Sequence, residues 1–165
     1  MVEVVWRRRE GIIMEKKLGV YICKGCTIGD SVETDKLGEV ATKQYKVPVC
    51  RTHNILCSPE GIDLIKNDIS GEGINTVVIA ACSPRVKYEE FSFPGSLVER
   101  INIREFVAWS QTPKEEDTQS LAEDYMRMGI VKAQKSDLPE PFMLEETDKT
   151  VLVIGGGISG MTSAL

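Results

Sequence analysis

The sequence predicts an α/β fold: a small, mainly parallel sheet flanked by helices. Short apolar runs of strand type alternate with segments whose apolar residues recur at helix-like spacing. One of these runs is apolar at nearly every position, which is the pattern of a parallel strand buried on both faces. A chain of 165 residues, 42% of them hydrophobic and 27% charged, is long enough to bury such a core.

The first strand and its helix are predicted near the N-terminus. Residues 18–23 are β-rich and end on Cys23, which suits a strand that delivers its last residue to the carboxyl edge of a sheet. Residues 24–30 are predicted to form a turn whose two glycines allow a close backbone approach. Apolar spacing over residues 31–45 predicts a helix lying on the sheet, although Gly38 is a poor helix former.

An edge strand and a second helix are predicted next. Residues 47–50 predict a short strand near a sheet edge because its proline has no N–H for the ladder, and residues 51–56 predict a loop. Ser58 as N-cap and Pro59 at the first helical position predict a helix that begins directly after Cys57. A Cys57 thiolate would then lie at the positive end of the helix dipole, which favours negative charge. The inward positions of this helix are predicted to be Ile62, Leu64, Ile65 and Ile69.

The central strand and a second cysteine turn follow. Residues 75–81 form the nearly continuous apolar run, which predicts the central strand, and Cys82 comes directly after it. Ser83 and Pro84 repeat the two residues that follow Cys57, so we expect a helix to begin there too.

The last strand of the sheet is predicted to lead into the clearest helix of the chain. Residues 98–103 predict the strand, and residues 104–109 predict a short helical piece whose Trp109 is expected in the core. Thr112 as cap and Pro113 at the first helical position predict the start of the long helix. This helix is predicted to run to about Gln134 and to face the core with Leu121, Tyr125, Met128 and Val131 or Lys132.

Charge and hydropathy exclude several functional classes. The formal net charge is -5 and no long basic block is present, which argues against a nucleic-acid partner. The longest apolar runs fall far short of the ~18 residues that a membrane helix needs, so we expect no direct membrane insertion. Because the N-terminal region lacks a signal-peptide core and a cleavage site, we expect a cytoplasmic protein.

The chain divides into four predicted segments. Residues 1–17 are predicted to be an N-terminal extension, within which Met14 is an alternative start. Residues 18–136 form the cysteine-rich α/β domain. Residues 137–149, with two prolines and several acidic residues, predict an exposed linker. Residues 150–165 are predicted to be the incomplete start of an FAD-binding domain.

This final segment carries a dinucleotide-binding motif. Residues 150–154 predict a strand, and Gly155, Gly157 and Gly160 predict the turn and helix start that receive a pyrophosphate. A complete unit also needs a further strand and an acidic residue about 20 positions on, and the sequence contains neither. We therefore expect these glycines to bind FAD only in a longer protein, and the chemistry of this chain to reside in residues 1–149.

The five cysteines carry the strongest chemical signal. Cys23 and Cys26 form one C-x-x-C pair, whereas Cys50, Cys57 and Cys82 are isolated. Three of the five follow predicted strands and Cys57 begins a helix, so we expect convergence at the carboxyl edge of a parallel sheet. Five cysteines without an export signal indicate thiolate or metal chemistry rather than a disulfide framework. Four thiolates are the usual ligands of an iron–sulfur cluster.

Other uses of these residues stay open at this point. A single C-x-x-C could be a thioredoxin-type redox pair, and a structural zinc ion takes four thiolates in tetrahedral geometry. At least one cysteine is expected only to pack, and Cys50 is our choice because it lies mid-segment beside a proline. His53, the single histidine, is expected in a solvent-facing loop rather than as a ligand. Arg85 and Lys87 could offset the negative charge of a cluster, or they could form a solvated basic turn.

Five motifs occur in a fixed order along residues 18–165. They are Val20-Tyr21-Ile22-Cys23, Cys57-Ser58-Pro59-Glu60-Gly61, Ala80-Ala81-Cys82-Ser83-Pro84-Arg85, Asn102-Ile103-Arg104-Glu105 with Trp109, and Val153-Ile154-Gly155-Gly156-Gly157-Ile158-Ser159-Gly160-Met161. This ordered set resembles the N-terminal part of the A subunit of heterodisulfide reductase. It is also similar to the related subunits of the quinone-interacting membrane-bound oxidoreductase of sulfate reducers.

The resemblance implies a large FAD-containing iron–sulfur oxidoreductase whose front domain carries a [4Fe–4S] cluster. It implies Cys23, Cys26, Cys57 and Cys82 as the ligands, with Cys50 as an alternative. The domain would relay single electrons between the redox centres of partner subunits and the flavin of the full-length protein, with no catalytic residue of its own. A zinc-bound or metal-free docking module for assembly of the redox complex is the alternative.

One departure from the family pattern bears on the second ligand. Members from methanogens have Cys-x-Cys-Gly where this chain has Cys23-Lys24-Gly25-Cys26. The chain is therefore more similar to the sulfate-reducer branch of the family.

Overall fold

The computed structural model describes residues 16–139 and 149–165, and it confirms the α/β prediction. Its four strands are all parallel and lie in the order β2-β1-β3-β4. The strands are β1 (Leu18–Cys23), β2 (Val49–His53), β3 (Thr76–Ala81) and β4 (Leu97–Asn102).

The helices connect and cover these strands. Within the described ranges they are α1 (Ile28–Ser31), α2 (Thr34–Glu39), α3 (Pro59–Glu72), α4 (Glu116–Lys135) and α5 (Ile158–Ala164). Two π-helical turns, Val40–Gln44 and Arg104–Ala108, follow α2 and β4. The second of these turns confirms the short helical piece predicted after the last strand. No described helix is long and apolar enough to cross a membrane.

Helices pack against both faces of the sheet. On one face, the Tyr21 hydroxyl of β1 donates a hydrogen bond to Asp68 of α3 at 3.2 Å. On the other face, α4 approaches β4 so closely that a Cβ atom on Gly129 would overlap the Ile101 side chain. α2 and its π-helical turn contact α4 and therefore lie on this second face.

β1 and β3 form the centre of the sheet. Every residue of both strands is buried, which confirms the prediction that the apolar run at 75–81 is the central strand. β2 is an edge strand, as predicted, but the loop predicted over residues 51–56 is wrong for residues 51–53 and holds only for residues 54–56. Residues 51–53 are polar, yet they pair with residues 21–23 of β1, so the main-chain ladder decides their conformation.

The start of α3 forms as the sequence predicts. Ser58 is the N-cap, and its side-chain oxygen accepts a hydrogen bond from the Gly61 N–H at 3.2 Å. Pro59 is the first helical residue, and Gly73, with a φ of 68°, ends the helix. Its inward residues pack on the core as predicted, Ile62 and Ile65 more completely than Leu64 and Ile69. Cys57 therefore lies directly before a well-capped helix.

The predicted start of α4 is wrong, and the side predicted to face the core is only partly right. The helix begins at Glu116 rather than at Pro113, because Lys114 has a φ of 65°, a left-handed value that a right-handed helix does not contain. Its buried face consists of Thr118, Ala122, Met126, Gly129, Ile130 and Ala133. Small residues on this face allow close packing on the sheet. Of the residues predicted to face the core, Leu121 and Tyr125 pack against it while partly buried, whereas Met128 is 56% exposed.

The repeated Cys-Ser-Pro sequence does not begin a second helix. The chain after Cys82 forms a series of turns up to β4, and Lys87 within them has a left-handed φ of 56°. Phe91 and Phe93 are buried and anchor this segment on the domain. The connection between β3 and β4 is thus an ordered loop, to which we refer as the β3–β4 loop (residues 82–96).

Residues 150–154 form no strand in the described structure, contrary to the prediction. A strand needs the hydrogen bonds of a neighbouring strand, and none of the four described strands pairs with this segment. The glycines that follow do lead into a helix, α5, as predicted. The predicted extension up to residue 15, with Met14, and linker residues 140–148 lie outside the described residues.

Candidate metal centre

The carboxyl edge of the sheet has a switch point between β1 and β3. After β1 the chain continues to α2, on one face of the sheet, whereas after β3 it continues on the opposite face, which carries α3. The evidence for the second direction is Arg100 of β4, which aligns with Ile79 and Tyr21 on the α3 face. Its guanidinium bonds the carbonyls of Ser83 and Val86, which belong to the loop after β3. Open parallel sheets bind their ligands at such points, outside the carboxyl ends of the strands.

Four of the five cysteines lie in the elements at this edge. Cys23 is the last residue of β1, and Cys26 follows in the turn before α1. Cys82 directly follows β3, and Cys57 directly precedes α3. The four side chains differ in exposure: Cys23 and Cys82 are buried, Cys57 is half-buried and Cys26 is exposed. The structure therefore brings together, at one edge, the elements that carry the predicted ligands.

The turn that carries Cys26 has a restricted backbone conformation. Cys26 and Thr27 have left-handed φ values of 53° and 70°. A Cβ atom on Gly25 would lie 2.7 Å from the Asn54 carbonyl oxygen, so only glycine fits against the loop after β2. The Trp109 indole N–H donates to the Thr27 hydroxyl at 3.1 Å, which ties the turn to the segment after β4.

Cys82 has a cationic partner that the sequence did not single out. A guanidinium nitrogen (Nη2) of Arg100 lies 3.3 Å from the Cys82 sulfur. The same nitrogen lies 3.2 to 3.3 Å from the carbonyl oxygens of Cys82, Ser83 and Val86. The guanidinium stacks over the Phe91 ring at 4.3 Å, and its Nε is buried without a hydrogen-bond partner in the described structure.

A second arginine lies near another of these thiols. Arg104 pairs with Glu105 at 2.7 Å and stacks over the Trp109 ring at 4.5 Å. The Glu105 carboxylate, and to a lesser extent the Cys26 thiol, raises the pKa of Arg104. The Glu105 carboxylate also accepts the Ser83 N–H at 2.8 Å. These contacts connect the turn after β1 to the β3–β4 loop through the π-helical turn after β4.

Burial and the two arginines have opposite effects on the pKa of the Cys82 thiol. Burial raises the pKa of the Cys82 thiol, while the positive charges of Arg100 and Arg104 act to lower it. Burial also lowers the pKa of Arg100, against the attraction of the Cys82 and Cys57 sulfurs and the Glu105 carboxylate. Lys87, one of the cations predicted near a cluster, interacts mainly with Glu90 and more weakly with Cys57 and Cys82.

Cys50 lies apart from the other four cysteines. It is in the middle of β2, level with Val20, and is half-buried beneath α2. A Cβ atom on Gly38 would lie 3.7 Å from its sulfur. Burial raises the pKa of this thiol, and the Arg51 charge opposes the effect. Its surroundings are those of a packed side chain, in keeping with the role that we assign to it.

Other sequence expectations about this edge are corrected. His53 ends β2 instead of lying in a loop, and its Nδ1 accepts a hydrogen bond from the Ile55 N–H at 3.1 Å. Trp109, expected in the core, is 60% exposed; its indole N–H donates to Thr27, and the Arg104 guanidinium stacks over its ring. One signal in the sequence could have identified Arg100 as a functional candidate, because it is a charged residue inside a predicted strand.

No preformed cage for a single metal ion is present in residues 16–139 and 149–165. No three histidine, cysteine, aspartate or glutamate side chains there lie close enough together to hold an ion. A tetrahedral zinc site requires sulfurs ~2.3 Å from the metal, which places them within about 4 Å of one another. A cubane cluster spaces its ligand sulfurs more widely, since each thiolate binds a different iron atom.

The glycine motif has the local geometry that its residues predict. Gly155 has a φ of 126°, and Gly157 is the N-cap of α5. A Cβ atom on Gly160 would overlap the Gly155 carbonyl oxygen. The close approach of turn and helix therefore requires glycine at both ends of the motif.

The fold and this edge define a class of protein: an α/β domain with a four-stranded parallel sheet, whose carboxyl edge carries cysteines and arginines. No family model matches the chain. It is 36% identical to the A subunit of the H2:CoB-CoM heterodisulfide,ferredoxin reductase of Methanothermobacter marburgensis. It is 35% identical to an iron-sulfur A subunit of the CoB–CoM heterodisulfide reductase of Methanopyrus kandleri. Each match covers 92% of this chain and 24% of the relative.

A protein of Archaeoglobus profundus that is named as similar to the heterodisulfide reductase A subunit is 34% identical, over 92% of this chain and 22% of that protein. The chain belongs to the family of heterodisulfide reductase A subunits. It spans about a quarter of the length of these relatives. The predicted resemblance is thereby confirmed.

Proposed function

We propose that this chain is an iron–sulfur electron-transfer domain of an oxidoreductase of the heterodisulfide reductase A type. Its cluster would be a [4Fe–4S] centre held by Cys23, Cys26, Cys57 and Cys82. The observation that supports the proposal is that the elements carrying these four cysteines meet at the carboxyl edge of the sheet, whereas Cys50 lies in the middle of β2. Two of the relatives are named as iron-sulfur subunits.

The residues at this edge suit such a group. All four thiols are free, and soft anionic sulfur donors match iron. A cluster with four thiolates carries net negative charge, which Arg100 and Arg104 face. The Arg100 Nε, buried without an acceptor among the described residues, could donate to a sulfur of the cluster.

The protein's own part would be to hold, shield and polarise the centre. When bound, the cluster would supply reversible uptake of a single electron. The buried Phe91 and Phe93 keep the β3–β4 loop against the sheet, so Cys82 would be shielded from water. No residue of this edge is needed as acid, base or nucleophile, and hydrogen bonds to the sulfurs would tune the potential.

The wider assignments are proposals that follow from family membership. Gly155, Gly157 and Gly160 would receive the pyrophosphate of FAD in the full-length protein. The partners would be other subunits of a heterodisulfide reductase-like complex, because the relatives are named as subunits of such reductases. The domain would pass electrons between those subunits and the flavin in the cytoplasm.

The test is metal analysis of protein purified without oxygen. We expect about four iron and four sulfide per chain, from the composition of the cluster, and an EPR signal after reduction. Zinc in stoichiometric amount without iron would contradict the proposal. If air has removed the cluster, anaerobic reconstitution with iron and sulfide should restore colour and signal; a protein that stays colourless would also contradict it.

A docking module is the second candidate, favoured by apolar side chains at the same edge. Four side chains in the segments that follow the strands are 54 to 75% exposed: Ile55, Tyr88, Phe106 and Trp109. Surfaces of this kind bind other proteins. A docking role alone predicts a stably folded chain that takes up no iron during reconstitution.

A further inference from the structure

β4 is the strand whose carboxyl end carries no cysteine, and it contributes arginines instead. We infer that Arg100 is a positioning residue for the cluster ligand Cys82: it fixes the β3–β4 loop and raises the reduction potential of the centre. This inference rests on the proposed function. It concerns a residue that none of the sequence motifs includes.

The first argument is the position of the guanidinium inside the β3–β4 loop. One nitrogen, Nη2, lies within 3.3 Å of three carbonyl oxygens and of the Cys82 sulfur. A nitrogen with two hydrogens cannot make four full hydrogen bonds, so its donors are shared among the acceptors. The start of the β3–β4 loop therefore surrounds the Arg100 guanidinium, and Cys82 is held as the first residue of that loop.

The second argument is that the guanidinium cannot easily leave this position. It stacks on Phe91, which is itself buried, and Arg100 belongs to a strand paired with β3 over its full length. A planar guanidinium offers a rigid fork of donors, whereas a lysine ammonium offers one point of charge. Arg100 can thus set the geometry of the loop as well as its charge.

The third argument is that the positive charge remains available to the sulfur. An arginine stays protonated in proteins. Among the described residues no carboxylate forms an ion pair with Arg100, since the nearby Glu105 pairs with Arg104. A charge beside a partly buried centre acts through a lower effective dielectric than water, so it favours the more negative, reduced form of the cluster.

The experiment compares midpoint potentials of the cluster by EPR-monitored redox titration. Arg100→Gln removes both charge and fork, and Arg100→Lys keeps the charge. Arg85→Gln removes a charge from the same loop at an exposed position, and it is the matched control. We expect Arg100→Gln to lower the reduced-to-oxidised ratio at a fixed potential at least tenfold, which is about 59 mV for one electron.

The controls separate charge from position. Arg100→Lys is expected to keep most of the wild-type potential, and Arg85→Gln is expected to shift it less than half as far as Arg100→Gln. A potential of Arg100→Gln equal to that of Arg85→Gln would overturn the inference. An absence of iron in the wild-type protein would instead contradict the proposed function, so the two failures are distinguishable.

A second measurement applies if Arg100→Gln does not retain a cluster. Amide hydrogen exchange of the cluster-free proteins reports on the loop itself. We expect Arg100→Gln and Arg100→Lys to lose at least tenfold protection over the β3–β4 loop, while Arg85→Gln stays like wild type. Unchanged protection in both Arg100 variants would overturn the positioning role.

Discussion

The close packing of α4 on β4 makes a quantitative prediction for Gly129→Ala. Alanine favours a helix interior over glycine by about 1 kcal/mol. At Gly129, however, the new methyl group would overlap two carbon atoms of Ile101. Overpacking of this kind costs about 1–3 kcal/mol. We therefore expect the substitution to leave the stability unchanged or lower it by up to about 2 kcal/mol.

Gly71→Ala is the matched control, because Gly71 lies in α3 with no atom within 4 Å of its Cβ position. There the same substitution is expected to raise stability by up to about 1 kcal/mol. The difference between the two variants, measured by urea unfolding of the cluster-free chain, isolates the contact with Ile101. Combining Gly129→Ala with Ile101→Ala should remove the clash. Equal stabilisation by both single substitutions would refute the packing described for α4.

Three further outcomes are expected. Cys57→Ser and Cys82→Ser should each lower the iron content to near zero, whereas Cys50→Ser should keep it, as measured by iron analysis after anaerobic reconstitution. Ser58→Ala should destabilise the domain by about 1 kcal/mol in chemical unfolding, because the N-cap hydrogen bond is lost. Burial, and after it the charge of Asp68, raises the pKa of Tyr21 in the folded protein far above its unfolded value of about 10. The protonated Tyr21 hydroxyl therefore contributes stability that is fully present below about pH 10 and is lost as the pH rises above it. Tyr21→Phe should flatten the fall in stability as the pH rises above about 10.

Each of these expectations can fail in a distinct way. Iron loss in Cys50→Ser with iron retained in Cys57→Ser would move a ligand from the edge of the sheet to the middle of β2. A neutral Ser58→Ala would mean that the α3 terminus finds another acceptor. An alkaline stability profile of Tyr21→Phe that parallels wild type would assign the pH dependence to other groups.

Local signals in the sequence predicted the sheet well. Continuous burial of β3 followed from its apolar run, and the start of α3 followed from Ser58 and Pro59, because strand burial and helix caps are encoded by adjacent residues. The limits of β2 were not predictable in this way. Residues 51–53 are polar, and their extended form comes from pairing with β1.

What the sequence missed in α4 and in the cation nearest to Cys82 has a common origin in tertiary packing. The spacing of large apolar residues along one side of the helix favoured Met128 for the buried face, whereas close approach to Ile101 required Gly129. Arg85 and Lys87 were chosen as cations because they follow Cys82 in sequence. The cation that contacts the sulfur, Arg100, comes from the neighbouring strand.

The hydrogen bond between Trp109 and Thr27 gives the domain an internal optical reporter. The chain has two tryptophans, and Trp109 is the one within the described residues. Its indole N–H bonds Thr27, the residue that follows Cys26, and its ring lies beneath the Arg104 guanidinium. Its fluorescence should therefore respond when the turn moves or when a light-absorbing centre forms beside it, so assembly at this edge can be followed in real time without a label.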